Sequence, residues 1–120
     1  MGPEVVPGLR SDGSFTITTE MTTAHTGVAV FSTPAMIQLM ENVSAGLLQG
    51  HLATTESSVG VHVCVSHVAG SFVGDEVTVR SAVQKIDKGR FVTFDVSAHA
   101  GDRLLGEGTH QRAVIDLSTR

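Results

Sequence analysis

The chain has 120 residues and a mass of 12.5 kDa, with 8 Lys+Arg against 12 Asp+Glu for a net charge of -4. One core fits that length, which excludes a two-domain enzyme, and the acidic balance excludes a nucleic-acid binder, which needs cations to neutralise phosphates. The single cysteine, Cys64, excludes a disulfide framework or multi-cysteine zinc site; with no basic-then-apolar leader and no apolar run near the ~20 residues of a membrane helix, the expectation is a soluble, cytoplasmic protein without a membrane partner.

Residues 1–13 hold both early prolines and close on Asp-Gly, so they read as a loose N-terminal arm and a turn within one domain, 1–120. Residues 14–23, rich in Thr, Ile and Phe, read as a first strand, and residues 24–32 as a loop. Residues 33–50 form the convincing helix. Thr33 can cap it, Pro34 suits the first helical position, and Met36, Leu39, Met40, Val43 and Leu47 recur at helical spacing before Gly50 stops it. After a polar loop at 53–58, residues 59–68 alternate. Val59, Val61, Val63 and Val65 share the face expected to meet the helix; Gly60, His62, Cys64 and Ser66 take the other. Strands follow at 76–86, with a slip in alternation near Ser81–Ala82, at 90–99 and at 104–117, joined by a Gly-containing turn at 69–75 and hairpins at Asp87–Arg90 and Ala100–Arg103. Val (17) and Thr (13) make up a quarter of the chain, in keeping with so many strands. The class is α+β, one long helix on a five-stranded antiparallel sheet. One helix covers only part of such a sheet, which points to a homodimer or a dimer of dimers.

Several residues have both a chemical and a plain structural reading. Glu41 lies at the edge of the helix's apolar stripe, where it is either a solvated carboxylate or an acid–base or nucleophilic group. His67 ends the alternating strand on its helix-facing side, as a core histidine or a proton carrier. Thr33 is a helix cap or a hydroxyl that orients a substrate carbonyl beside the helix N-terminus. Gly60 marks a bend or a close backbone approach to a ligand. Arg112 is an isolated cation in the last strand, paired to a carboxylate or a ligand. Cys64 reads as a buried structural thiol. His62 and His67 face opposite sides of their strand, and His99 and His110 bring no carboxylate motif, so no metal site is expected. Walker, GxGxxG, GxSxG and HExxH signatures are absent.

The order of elements resembles the hot-dog fold. Four segments resemble the fluoroacetyl-CoA thioesterase family: Val30-Phe31-Ser32-Thr33-Pro34-Ala35-Met36-Ile37-Gln38-Leu39-Met40-Glu41, Ser58-Val59-Gly60-Val61-His62-Val63-Cys64-Val65-Ser66-His67, Val96-Ser97-Ala98-His99, and Gly108-Thr109-His110-Gln111-Arg112-Ala113-Val114-Ile115. The resemblance covers about residues 14–117. It implies an acyl-CoA thioesterase in which Thr33, Glu41 and His67 form the catalytic set, Gly60 contacts the acyl group and Arg112 binds ligand. Coenzyme A would be part of the substrate, with no separate cofactor, and Arg112, Arg90 and Lys88 are the candidate cations for its phosphates. Before the helix the segment His25-Thr26-Gly27-Val28-Ala29-Val30 replaces the family's phenylalanine-bearing lid, so a thioesterase of broader acyl preference is expected. Rival readings are a hot-dog hydratase or dehydratase and a non-enzymatic acyl-CoA binding module.

Overall fold

Helical spacing over residues 33–50 is realised as helix α1 (Thr33–Gln49) in the computed structural model, which describes residues 1–24 and 27–119. The cap is Ser32, one residue earlier than expected. Its backbone is extended, and its hydroxyl accepts the Ala35 N–H at 3.2 Å. Thr33 and Pro34 are therefore the first and second helical residues, and the Thr33 hydroxyl is free for another partner. Met36, Leu39 and Met40 are buried as expected. Further along, the buried line runs through Ser44 and Leu48 instead of Val43 and Leu47. Ser44 can be buried because its hydroxyl bonds the Met40 carbonyl at 2.8 Å and the Ser81 hydroxyl at 2.7 Å.

The strands are β1 (Arg10–Thr16), β2 (Thr22–Thr23), β3 (Val30–Phe31), β4 (Glu56–His67), β5 (Glu76–Asp87), β6 (Phe91–Ala100) and β7 (Arg103–Asp116). Five of them form one antiparallel sheet in the order β1-β5-β6-β7-β4, and β2 pairs with β3. This is the expected α+β architecture of one long helix layered on a five-stranded sheet. Val92, Phe94, Val96 and Ala98 line the core face of β6, all buried. Lys88 and Gly89 both have positive φ, the conformation that lets a two-residue hairpin loop follow the twist of its strands.

Two expectations about chain path are corrected. The N-terminal arm is not loose. β1 begins at Arg10 and ends at Thr16, and the residues before it are tied down: Val5 is buried, Gly2 N–H bonds the His51 carbonyl, Leu9 and Val83 bond through their backbones, and the Met1 ammonium meets Glu56 at 2.7 Å. The second concerns β4. Its pairing with β7 shifts between Gly60 and His62, a bulge at Val61. The extra residue reverses the alternation before it, so Gly60 faces the helix together with Val63, Val65 and His67, while Val59 turns to the other face. β4 is also an edge strand, and Val59, Val61 and Val63 are 43%, 48% and 38% exposed. Cys64, expected to be buried, is exposed on this edge. Among the described residues no helix is long and apolar enough to cross a membrane.

Candidate active site

The sequence-predicted residues fall into two groups on the helix side of the sheet. The first joins the start of α1 to the end of β4. Thr33 Oγ1 lies 2.8 Å from His67 Nδ1, and the His67 ring meets Phe31 edge-on at 5.9 Å. His67 Nε2 is buried with no hydrogen-bond partner. Burial pushes the His67 imidazole below its usual value, and the nearby Ala69 backbone partly opposes this. The ring is thus neutral, with one nitrogen that lacks a hydrogen-bond partner, beside a cavity of about 280 Å³ lined by Val30, Phe31, His67, Val68, Ala69 and Gly70. At the helix start Pro34 has no N–H, and the N–H groups of Ala35 and Met36 are taken by Ser32. The hydroxyl and N–H of Thr33 itself are then the polar groups that the first turn can offer a ligand.

The second group lies eight residues along the helix, about 12 Å by helical rise. Glu41 Oε2 is 3.6 Å from Arg112 Nη1 and 3.9 Å from His110 Nε2. The carboxylate occupies the space above Gly60. A Cβ there would lie 2.6 Å from Glu41 Oε2, 3.2 Å from His110 Cε1 and 3.4 Å from Arg112 Nη1. Any side chain at Gly60 would therefore force the Glu41 carboxylate out of this position. Arg112 is 8% exposed and is bound from three sides: Nε donates to Ser58 Oγ at 2.9 Å, Nη2 to the Ser58 carbonyl at 3.1 Å, and Nη1 to His110 Nε2 at 3.2 Å. Burial lowers its guanidinium pKa and the Glu41 charge raises it; it stays a cation, since arginine does not lose its proton in proteins.

No hydrogen bond or ion pair links the two groups among the described residues. His110 was not foreseen as part of the site. Its signal was present in the sequence: His110 and Arg112 are two apart on one strand, so they share a face, and Arg112 is the register partner of Gly60. His99 lies elsewhere, hydrogen-bonded to Ser97. Among the described residues no cluster of three or more His, Cys, Asp or Glu is placed to hold a metal. A larger cavity, about 930 Å³, opens on the other side of the sheet between Arg10, Arg80, Asp95, His99 and Glu107. Neither of the two groups reaches it: the Glu41 carboxylate, the half-buried His67 ring and the buried His110 ring all lie on the helix side. The segment before β3, where the lid departure was expected, includes His25 and Thr26, which lie outside the described residues.

Comparison with known proteins identifies the family of the chain. Residues 14–118 match the model of the fluoroacetyl-CoA-specific thioesterase family. The chain is 40% identical over 88 residues to the fluoroacetyl-CoA thioesterase of Streptantibioticus cattleyicolor, which covers 73% of this chain and 63% of that relative. It thus spans less than two-thirds of the length of that enzyme. Among solved structures, the fluoroacetyl-CoA thioesterase FlK superposes with a TM-score of 0.86 at 33% identity, over 94% of this chain and 90% of that one. A variant of FlK bound to fluoroacetate and CoA has a TM-score of 0.86, also at 33% identity, over 94% of this chain and 97% of that one. A hot-dog-like protein from Thermanaerovibrio acidaminovorans has a TM-score of 0.87 at 22% identity, over 97% of this chain and 88% of that one, a likeness of fold.

Proposed function

Because the chain belongs to the fluoroacetyl-CoA-specific thioesterase family, we propose that it is a thioester hydrolase that cleaves a small or medium acyl-CoA to the free acid and CoA, with Thr33, Glu41 and His67 as its catalytic residues. The observation that carries the reading is a carboxylate held by a buried arginine over a glycine, together with a neutral imidazole that has a free nitrogen. The thioester carbonyl lies against the helix start, where the Thr33 hydroxyl and N–H stabilise the charge that develops on its oxygen. Glu41 supplies the attack, either on the carbonyl carbon to give a mixed anhydride or by taking a proton from the attacking water. The C–S bond breaks, and one water is consumed on either path, as the direct attacker or in hydrolysing the anhydride to free the acid and restore Glu41; His67 relays the proton that this water gives up to the departing thiolate. Gly60 leaves room for the Glu41 carboxylate, against which the acyl group lies. Arg112 faces inward on Glu41, so its contribution to ligand binding is through that carboxylate, and the exposed cations Arg90 and Lys88 remain the candidates for the CoA phosphates.

The separation of the two groups within one chain favours a homodimer. β4 offers an unpaired edge with exposed valines. A second copy paired antiparallel along it, about a two-fold axis near Val63 and Cys64, would bring the His67 end of one strand opposite Gly60 and Glu41 of the other. Mixing two inactive variants, Glu41→Gln and His67→Gln, then restores activity; mixed dimers that stay inactive overturn the shared site.

The activity itself is tested by thiol release from a panel of acyl-CoAs, short to aromatic, followed by mass spectrometry. Free thiol with free acid is the expected result. An enoyl-CoA that gains one water without releasing thiol identifies a hydratase. Tight binding with no turnover of any member identifies a binding module.

A further inference from the structure

We propose that His110 is a positioning residue: through Arg112 it fixes the Glu41 carboxylate over Gly60. The inference rests on Glu41 being the catalytic carboxylate. His110 is only 1% exposed and its ring stacks on Phe94, with centroids 6.4 Å apart, so it has little freedom to turn. Its Nδ1 lies 2.9 Å from the His62 carbonyl. A carbonyl only accepts, so Nδ1 carries the proton. In the neutral ring Nε2 is then an acceptor, and the donor at 3.2 Å is Arg112 Nη1. That same Nη1 faces Glu41 Oε2 at 3.6 Å. The chain of contacts runs from a backbone carbonyl, through imidazole and guanidinium, to the carboxylate, and each link sets the direction of the next.

The β4 bulge belongs to this device. His62 follows the extra residue, Val61, and it is the His62 carbonyl that holds the imidazole. The bulge therefore places both the glycine that makes room for Glu41 and the acceptor that fixes the tautomer of His110. The charged and titratable groups around His110 are Glu41 from α1, Arg112 from its own strand and His62 from β4; β6 contributes only the Phe94 ring. Burial and Arg112 disfavour the imidazolium, while Glu41 and the His62 carbonyl favour it. A proton added at Nε2 ends its acceptance from Arg112 and gives Glu41 Oε2, 3.9 Å away, a competing donor. The grip on the carboxylate thus requires the neutral ring.

Two measurements test this on the whole chain. Nitrogen NMR of histidine-labelled wild type reads the tautomer directly. A neutral ring protonated at Nδ1 is expected for His110, and a ring protonated at Nε2 overturns the proposal even if variants fail to fold. Steady-state kinetics of thiol release follow. His110→Asn keeps a donor for the His62 carbonyl and lacks the acceptor for Arg112; it lowers kcat about 10-fold with KM within about twofold, the loss expected for one hydrogen bond to a charged group. His110→Gln, whose amide oxygen reaches toward the Nε2 position, recovers most of kcat. The His110→Asn, Arg112→Gln double variant is no slower than the slower single one, because both act through the same contact. Wild-type kcat in His110→Asn, or multiplying effects in the double variant, overturns the proposal. Glu41→Gln is assayed alongside. If it keeps full activity, the functional reading has failed; if it is inactive while the His110 variants are normal, only the present inference has failed.

Discussion

The two polar groups on the helix face differ in how completely they are satisfied. Around Glu41, Arg112 has four close partner atoms, His110 bonds on both nitrogens, and Gly60 leaves no spare volume. Around His67, one nitrogen bonds Thr33 and the other bonds nothing. Buried polar atoms without partners are rare because each costs about 1–3 kcal/mol. The saturated group is built to hold one carboxylate still. The unsaturated one leaves His67 Nε2 without a side-chain or backbone hydrogen bond, which suits the proton-relay role proposed for it. The difference comes from secondary structure: around Glu41 the partners come from mid-strand positions of β4 and β7, while Thr33 and His67 sit where a helix begins and a strand ends.

That contrast can be broken from either side. Replacing the open imidazole has the largest effect. His67→Gln loses about 100-fold in thiol-release rate, the scale of acid–base catalysis, while its unfolding midpoint stays near wild type. A drop in stability with activity kept would make His67 a core residue. Next is the filled side. Gly60→Ala places a methyl 2.6 Å from Glu41 Oε2. The carboxylate is the end of a flexible chain and swings away, but the buried His110 ring beside it does not move. Activity falls about 10-fold, an expectation sized on one lost charged hydrogen bond. Unchanged kinetics would show that Glu41 needs no fixed position. Thr33→Val, which removes the hydroxyl facing His67, costs somewhat less, and Thr33→Ser keeps most activity; equal losses in both would deny the hydroxyl a role.

The smallest effect is on stability against pH. Burial holds both His67 and His110 below their ordinary value of 6.5 in the folded state. Above that value the imidazoles are neutral in both states and stability is full. As pH falls through it, the unfolded chain takes up protons first, so stability declines until the lowered folded values are passed. Urea midpoints should therefore fall between about pH 7 and about pH 5.5, before the carboxylates titrate. His110→Asn removes its share of that slope; a slope equal to wild type would place the His110 imidazole in water.

Much of this was legible in the sequence, for reasons that can be named. The helix, the three long C-terminal strands and the Asp87–Arg90 hairpin follow from spacing and turn chemistry, which are local properties. The two faces of β4 were not legible. A bulge at Val61 is decided by the pairing with β7, and strict alternation cannot reveal one extra residue. That misplaced Gly60 on the far face in the reading by alternation; only the resemblance put it in the site. Ser32 and Thr33 are both good caps, and the chain chose the one that left a hydroxyl for His67. The prolines of the arm suggest a loose segment, although Val5 and Leu9 find apolar and backbone partners far away in sequence. His110 escaped because its importance lies in what surrounds it, a carbonyl from β4 and a carboxylate from α1, neither of which neighbours it in the chain.

The most direct test is the rate of thiol release by Glu41→Gln beside wild type, on whichever acyl-CoA the wild type cleaves fastest. Glutamine keeps the shape of the side chain and removes its charge. A loss greater than about 100-fold, with the folded state intact, is the result predicted for a carboxylate that performs the attack. A rate within about threefold of wild type, well short of what acid–base or nucleophilic catalysis contributes, would contradict it and leave Glu41 as the structural partner of Arg112.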